Sequence, residues 1–456
     1  LHDDAMFQHS GVDCVDDSVN PGGQAPGVCG WGAGEETHGI GSYVGGSRMN
    51  IHHISIENMG DEGVDVSAPE ADHWLHDMQI LDAQHGGVVI SQGASTLLER
   101  MKIWKTYSFV NTSSTLGQAV ATFGAASEPP YTTGNCWNIG AAGKNGRALN
   151  TTVRDINCGG EYGAAWDIST GLAGNGSTGD LNPLGQYIEG VSIIGGIYNI
   201  RPEARHCAVN NCSAFRIKAF FGYHPITNVT ISGGVYSGWL DIDYEVGGPV
   251  TFDNNKLRPI PGNIPRWAIV AQGPHLTISN NDVAGHANGA VGWTGYRTGS
   301  GSTATITTRI VGNLFADMGG AGGLPYLGRV NASSAAADTD EAYLDIIGNR
   351  LLVGQANTAF NVIKLSQNGA PSFKNVLIAD NYIHVHPDIA TASINSGAIR
   401  TANDNTTIRN NTVVGPVNAV FAILADNVTV EGNKLSVGPT PTAGLKVNMR
   451  AVSLQQ

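Results

Sequence analysis

The chain is poor in charge, in aromatic residues and in long apolar runs. Of its 456 residues, 14% are charged and 7% aromatic. No apolar run approaches the roughly 20 residues that a membrane-spanning helix needs. No window holds a helical period bounded by caps at both ends, which leaves short strands and tight turns as the building material. Lys and Arg number 25 against 38 Asp and Glu, for a net charge of -13, and they form no cluster along the sequence. Nucleic acid is therefore excluded as a partner, because phosphate contacts need a basic face. A dense polyanion would also be repelled at long range unless a cation or a local basic patch intervened. GxSxG, HExxH and P-loop motifs are absent, and no glycine-rich loop opens a helix, so nothing supports a nucleotide site. The six cysteines (Cys14, Cys29, Cys136, Cys158, Cys207 and Cys212) show no CxxC spacing. An even count without metal spacing fits a disulfide-permissive setting, and the expected location is secreted. The chain opens on "LHDD", with neither initiator Met nor hydrophobic signal region, as in a processed or truncated chain that begins inside a repeat.

What is abundant is glycine, 61 residues of it, together with a repeat. "FDNNKL" (252–257), "ISNNDV" (278–283), "IVGNLF" (310–315), "IIGNRL" (346–351), "IADNYI" (378–383), "IRNNTV" (408–413) and "VEGNKL" (430–435) share one template. It reads apolar, any residue, then Asn, Gly or Asp, then Asn, any residue, apolar. The recurring asparagines run from Asn255 to Asn433 at intervals of 22 to 36 residues. Such a repeat cannot bury its apolar side alone, and stacking the repeats builds a continuous core. The expected fold is all-β, a parallel β-helix solenoid. Asn is expected in the turn because it tolerates the left-handed conformation and can stack as a hydrogen-bonded ladder. "MNIHHISIENMG" (49–60) and "NVTISGGVYSG" (228–238) read as looser coils of the same kind. The whole chain, 1–456, is expected to form a single domain, with insertions near 17–48, 107–150 and 170–186.

The N-terminal half carries a second rhyme. "HSGVDC" (His9–Cys14), "GDEGVDVS" (Gly60–Ser67), "HGGVVIS" (His85–Ser91) and "EYGAAWDIS" (Glu161–Ser169) each set a polar residue two places before a glycine. That glycine leads into a short apolar run. Aligned on Gly11, Gly63, Gly87 and Gly163, the phrases put His9, Asp61, His85 and Glu161 in one column at a strand entry. Alternation sends Val64 and Val66 to one side and Asp65 to the other, with Asp13 in the position of Asp65. Titratable groups facing outward from adjacent coils sit about 5 Å apart. Like charges that close keep one carboxyl protonated while its neighbour stays ionised. Glycosidic cleavage needs such a pair, one to protonate the leaving oxygen and one to activate water or attack. Asp61 and Glu62 are the expected pair, with His85 one coil on and Asp13, Asp65 and Glu161 flanking.

The coil template resembles the pectate-lyase-like right-handed parallel β-helix superfamily, in which each coil has three strands and the Asn turn follows the second. The resemblance implies that "DEGVDVS" opens a first strand and that the substrate groove follows that strand's outer face. Nearest within the superfamily are polygalacturonase-type glycoside hydrolases. They carry an acidic pair at the entry to the first strand, a His-Gly one coil later, and Arg-Ile-Lys beyond. Asp61-Glu62 and His85-Gly86 are similar to the first two, and "FRIKAF" supplies Arg216-Ile217-Lys218, 131 residues past His85. A second register matches "VDC" (Val12–Cys14), Cys29 and "HGIGSYVGG" (His38–Gly46) to the family's Asp-Asp-Cys, second Cys and His-Gly. It implies Asp13 and His38 as the catalytic pair and a Cys14–Cys29 disulfide. Val12 then stands where an Asp belongs, and Val64-Asp65-Val66 where Arg-Ile-Lys belongs.

The expected function is hydrolysis of a polysaccharide, with Arg216, Lys218, Trp166, Trp239, His38 and His9 as substrate-binding residues. The tryptophans are chosen because sugar rings stack on indole faces. One alternative is a polysaccharide lyase or epimerase, with Arg216 and Lys218 serving a uronate carboxylate. Another is a tailspike-like or adhesin β-helix that only binds glycans. No cofactor is required, and the acidic pairs Asp3–Asp4 and Asp16–Asp17 are the candidates for Ca²⁺, which β-helix lyases often use. The expected state is a monomer, or a trimer in the tailspike-like case.

Overall fold

Among the described residues, strands three to eight residues long make up every regular element of the computed structural model. The structure describes residues 40–42, 49–57, 63–66, 72–81, 83, 86–90, 93–104, 135–141, 146–161, 166–170, 185–200, 215–219, 226–242, 248–260, 267–271, 275–286, 289–293, 305–318, 341–353, 362–365, 373, 375–386, 398–415, 421–423, 425–436, 445–447 and 452–455. The chain divides into two compact units, 1–226 and 227–456, each described here by itself.

Unit 1 repeats a three-strand coil. Its first sheet is built from Ile40–Ser42, Val64–Val66, Gly86–Ile90, Asn135–Ala141, Trp166–Thr170 and Phe215–Ala219, each parallel to the next. The second sheet runs Met49–His52, Asp72–His76, Ser95–Glu99, Thr152–Arg154, Tyr187–Ile194. The third runs Ser55–Glu57, Gln79–Leu81, Lys102–Trp104, Asn157–Glu161, Ile197–Ile200. Since each strand pairs with its counterpart one coil on, the architecture is the expected parallel β-helix, right-handed as parallel crossovers are. Two strands, Asn135–Ala141 and Arg147–Leu149, lie inside the stretch 107–150 that the sequence marks as an insertion. Glycine and cysteine between their apolar residues mask the period-two pattern there.

Side chains from successive coils stack in register inside unit 1. Val64, Val88, Trp137, Trp166 and Phe215 form one inward column on the first sheet, all fully buried. The indoles of Trp137 and Trp166 lie nearly parallel, with centroids 5.2 Å apart, and Phe215 follows at 5.2 Å. A disulfide, Cys136–Cys158, ties the first strand of one coil to its third. The rhyming glycines have a packing cause. A Cβ on Gly63 would collide with Ile80 and the Gly87 carbonyl, and one on Gly87 with Ile103 and the Cys136 carbonyl.

The turn between second and third strands is the constant of both units. In unit 2 the residue at positive φ is Asn254, Asn280, Gly312, Gly348, Asp380, Asn410 or Gly432. The recurring asparagine comes immediately after it. The ladder asparagine therefore does not itself occupy the left-handed position, as the sequence reading supposed; the Asn, Gly or Asp before it does. This division of labour explains why that preceding position varies while the following one does not.

Asn255, Asn281, Asn313, Asn349, Asn381 and Asn411 are at most 2% exposed. Each Oδ1 from Asn281 to Asn411 accepts from the backbone N–H and the Nδ2 of the asparagine one coil earlier, at 2.9 to 3.2 Å. Each Nδ2 also donates to a main-chain carbonyl, as Asn313 does to Ile278 and Asn349 to Ile310. Unit 2's second sheet includes Val250–Asp253, Leu276–Ser279, Thr305–Val311, Glu341–Ile347, Asn375–Ala379, Thr406–Arg409 and Val428–Glu431 in that order.

Unit 1 keeps the turn and changes its chemistry. His53, Asp77, Arg100, Asp155 and Gly195 hold the positive-φ place, and Ile54, Met78, Met101 and Ile156 follow them where unit 2 has asparagine. The main-chain bonds are the same: Lys102 donates to Met78 and Asn157 to Met101, at 2.9 and 2.8 Å.

Replacing Asn349 by Leu strips the buried Asn313 N–H and the Ile310 carbonyl of this partner, and leaves Asn313 Nδ2 with one acceptor instead of two. Each orphaned group costs about 1–3 kcal/mol, so urea unfolding should show a loss of roughly 3 kcal/mol or more. Asn433→Leu, at the open end of the ladder, should cost less. His286 is 2% exposed and its Nε2 donates to the Gly238 carbonyl at 2.8 Å. Burial pushes its pKa down from 6.5 to about 4. The folded state thus resists protonation that the unfolded chain accepts. Its stabilising effect is complete above pH 6.5 and lost as pH falls toward 4, by about 3 kcal/mol at most. His286→Gln, which keeps a donor without the titration, should flatten the urea midpoint across that window relative to the parent.

Candidate functional site

Outward positions on the first sheet of unit 1 form a second register column. Asp65 stands opposite Val89, Val89 opposite Asn138, Asn138 opposite Asp167, and Asp167 opposite Arg216. Alternation explains the placement, because the flanking Val64 and Val66, Trp137 and Ile139, Trp166 and Ile168, Phe215 and Ile217 all fill the core. Asp65 and Asp167 are nonetheless 8% and 2% exposed.

Arg216 closes on Asp167. Its Nε donates to Asp167 Oδ2 at 3.2 Å, and its Nη2 donates to the same oxygen. Asp167 Oδ1, by contrast, is buried and has no hydrogen-bond partner, and the same holds for Asn138 Oδ1 and Ser169 Oγ. Asn138 and Asp167 are direct register partners, and Ser169 lies two residues on along the strand, on the same outward side. Such orphaned acceptors carry a penalty of about 1–3 kcal/mol each unless a ligand supplies donors. The patch therefore offers carboxylate and amide oxygens to a hydroxyl-rich molecule and a guanidinium to its oxygens.

The positions singled out from sequence distribute unevenly. Asp65 and Arg216 share the column just described. Lys218 is in the strand Phe215–Ala219, opposite Ser169. Trp166 is at the expected strand but faces inward, fully buried between Trp137 and Phe215, so it has no face for a sugar. Trp239, in unit 2, is 6% exposed and likewise packed away. Glu161 closes the third-sheet strand Asn157–Glu161 opposite Ile200, and does not enter a first strand. The register equates Trp166 with Trp137, Val88 and Val64. Gly163 therefore stands three residues before the equivalent position, whereas Gly63 and Gly87 stand one before it. The alignment on glycines was shifted at that phrase. His9, Asp13, His38, Asp61, Glu62 and His85 lie outside the described residues, as do Cys14, Cys29 and the acidic pairs near the N-terminus. The residues that directly follow Glu62 and His85 are bonded to each other, Gly63 N–H to Gly86 carbonyl at 3.0 Å.

Asn138, Asp167 and Ser169 escaped the sequence reading. Their signal was present in "WDIS" and "WNIG", where Asp and Asn sit between two inward apolar residues as Asp does in "VDV".

A separate polar group lies on the second sheet of unit 1. His76 Nδ1 meets Asp77 Oδ2 at 2.6 Å, Arg100 binds both Asp77 oxygens at 2.8 and 2.9 Å, and Arg100 also reaches Glu99 at 2.7 Å. The Arg100 guanidinium, followed by the His76 hydrogen bond, holds the Asp77 carboxyl well below the usual range. The Trp74 indole donates to Glu99 at 3.1 Å and stacks on His76 with centroids 4.0 Å apart. These groups satisfy one another and brace the positive-φ turns beside them. Among the described residues no group of three or more His, Cys, Asp or Glu is placed to hold a metal ion. Nor is any helix among them long and apolar enough to cross a membrane.

No known protein family matches the chain, and no curated protein does. Solved structures do. A Siphovirus 9NA tailspike receptor binding domain aligns at 10% identity and a TM-score of 0.43, over 91% of this chain and 73% of its own. The Streptococcus pneumoniae surface protein and adhesin PfbA aligns at 10% identity and 0.38, over 90% and 92%. The A-module of the Azotobacter vinelandii mannuronan C-5 epimerase AlgE6 aligns at 13% identity and 0.36, over 86% and 90%. The likeness carries nothing about activity, and the parallel β-helix stands on the strand order of the chain itself.

Proposed function

We propose that this chain is a secreted glycan-active β-helix whose groove follows the outer face of the first sheet in unit 1. The observation that carries this reading is the in-register patch of Asn138, Asp167 and Arg216. There, two buried acceptor oxygens lack donors beside a guanidinium that offers them. Sugar hydroxyls are the complement of such a patch, each donating one hydrogen bond and accepting others. Successive coils advance by about 4.8 Å, so the column from Asp65 to Arg216 spans about 19 Å over four steps. That length suits several sugar units of one extended chain.

The proposed reaction is glycoside hydrolysis. Asp61 and Glu62 supply acid and base at the Asp65 end, with His85 assisting, while the distal patch holds the chain. Asp167–Arg216 pairing favours this over a lyase or epimerase reading. A guanidinium already bound to a carboxylate is poorly placed to take a proton or to neutralise a uronate. A glycan-binding protein without cleavage is the second reading, favoured by the ion pair that commits Asp167 to Arg216 and by the idle oxygens of Asn138 and Asp167 beside it.

The two roles separate in kinetics. With a panel of neutral and acidic polysaccharides, activity should appear as new reducing ends without unsaturated, ultraviolet-absorbing ends. Asp61→Asn should lower kcat by roughly 10²–10⁴-fold with the unfolding midpoint unchanged; parental activity in this variant would remove Asp61 from the mechanism. Asn138→Ala should leave kcat near the parent and raise KM roughly fivefold, the scale of one hydrogen bond. No new reducing ends from any polysaccharide, together with retained binding that Asn138→Ala weakens, would favour the second reading.

A further inference from the structure

"IHHI" (51–54) is the one place in the sequence where two histidines are adjacent. On an extended strand, neighbouring side chains point to opposite faces, so two consecutive imidazoles cannot meet. Here His52 ends the second-sheet strand Met49–His52 of unit 1, and His53 takes a φ of 55°. That left-handed turn undoes the alternation. The two Nδ1 atoms come to 2.7 Å, with the rings edge to face and their centroids 4.9 Å apart. Both residues are exposed.

Nothing in the coil calls for histidine at this turn. The equivalent residues of later coils in unit 1 are Asp77, Arg100, Asp155 and Gly195. The main chain there is already satisfied, since the His53 N–H donates to the Asp77 carbonyl at 3.1 Å. The left-handed conformation costs a residue with a Cβ roughly 1–2 kcal/mol, and glycine would remove that cost. The pair is also held from one side. His76, opposite His52 in register, stacks on it with centroids 4.9 Å apart and planes 18° from parallel. His76 is itself fixed, with Nδ1 on Asp77 Oδ2 at 2.6 Å and Nε2 on Asn50 Oδ1 at 3.1 Å. Both of its nitrogens are engaged, so it orients the pair without joining it.

We infer that His52 and His53 chelate a divalent copper ion through their two Nδ1 atoms, with water in its remaining positions. Two ring nitrogens this close share one proton, one ring donating and the other accepting. When the donor ring carries its proton on Nε2 instead, both Nδ1 lone pairs turn to one point. Metal–imidazole bonds of about 2.05 Å meeting at a right angle set the nitrogens about 2.9 Å apart, and a tetrahedral angle sets them about 3.3 Å apart. The separation of 2.7 Å is nearer the first. The pair therefore suits neighbouring positions of a tetragonal site, the geometry of Cu²⁺, which also binds nitrogen donors most strongly among the divalent ions of its series. A net charge of -13 draws cations to the chain. With two protein ligands the site is consistent with the lack of any three-ligand group among the described residues. It lies on the second sheet and does not depend on hydrolysis at the first.

The test titrates Cu²⁺ alone into the full chain, read by calorimetry and by electron paramagnetic resonance. An equivalent that shows coupling to two imidazole nitrogens, and that excess Mg²⁺ does not displace, is the expected result. His52→Gln and His53→Asn should each weaken that equivalent at least about tenfold, the lower end of the loss seen for partners one shell further from a metal. Asn tolerates the left-handed turn, so the urea midpoint of His53→Asn without metal should hold or rise, which separates loss of the ligand from loss of the fold. The control is His275→Asn, which removes a left-handed histidine of unit 2 that has no histidine beside it and should change nothing. Unchanged affinity in either His52→Gln or His53→Asn, an equal loss in His275→Asn, or a signal without the two nitrogens would overturn the inference.

Discussion

Everything in unit 2 hangs on one buried contact, the asparagine side chain that bonds the asparagine of the adjacent coil and a strand carbonyl. A turn that leaves the sheet exposes main-chain groups that the interior cannot satisfy. The ladder satisfies them once per coil with a single residue type. Unit 1 meets the same need differently: Met78, Met101 and Ile156 fill the place with apolar volume. Ion pairs such as Asp77–Arg100 join the left-handed residues of successive coils. One solution is hydrogen-bonded and interior, the other apolar inside and electrostatic outside.

This repetition sets what the outer faces can do. Any residue type placed at an outward strand position is copied into a column with a fixed step. Columns that alternate in sign stabilise the stack and leave nothing over. Columns that do not close on themselves, such as Asn138–Asp167 with its idle oxygens, hold unspent interaction capacity. A linear polymer is the natural complement, since it too repeats.

The architecture was legible in the sequence because the ladder is a one-dimensional pattern: Asn255 through Asn433 announce themselves at every coil. The site was legible only in part. The strand at Val64–Val66 and the outward turn of Asp65 follow from alternation, yet the same rule would have sent Trp166 inward, and an attraction to indoles as sugar platforms overrode it. Asp167 was missed because the phrase was aligned on Gly163, three residues before the inward Trp166, while Gly63 and Gly87 stand one before the equivalent Val64 and Val88 and are held by contact with Ile80 and Ile103. Asn138 beside Asp167 could not be seen at all, because only the register of the two strands reveals that they are direct partners.

The ladder has a consequence for how such a chain can change. Adjacent ladder asparagines are bonded across 22 residues at one step and 36 at another with the same geometry. The extra residues leave between strands and return without shifting the phase of the stack. Closing a longer loop costs only about 0.6 kcal/mol for each doubling of its length. Coil length is thus nearly free to drift while coil identity is held, and new surface can be grafted onto the molecule one turn at a time.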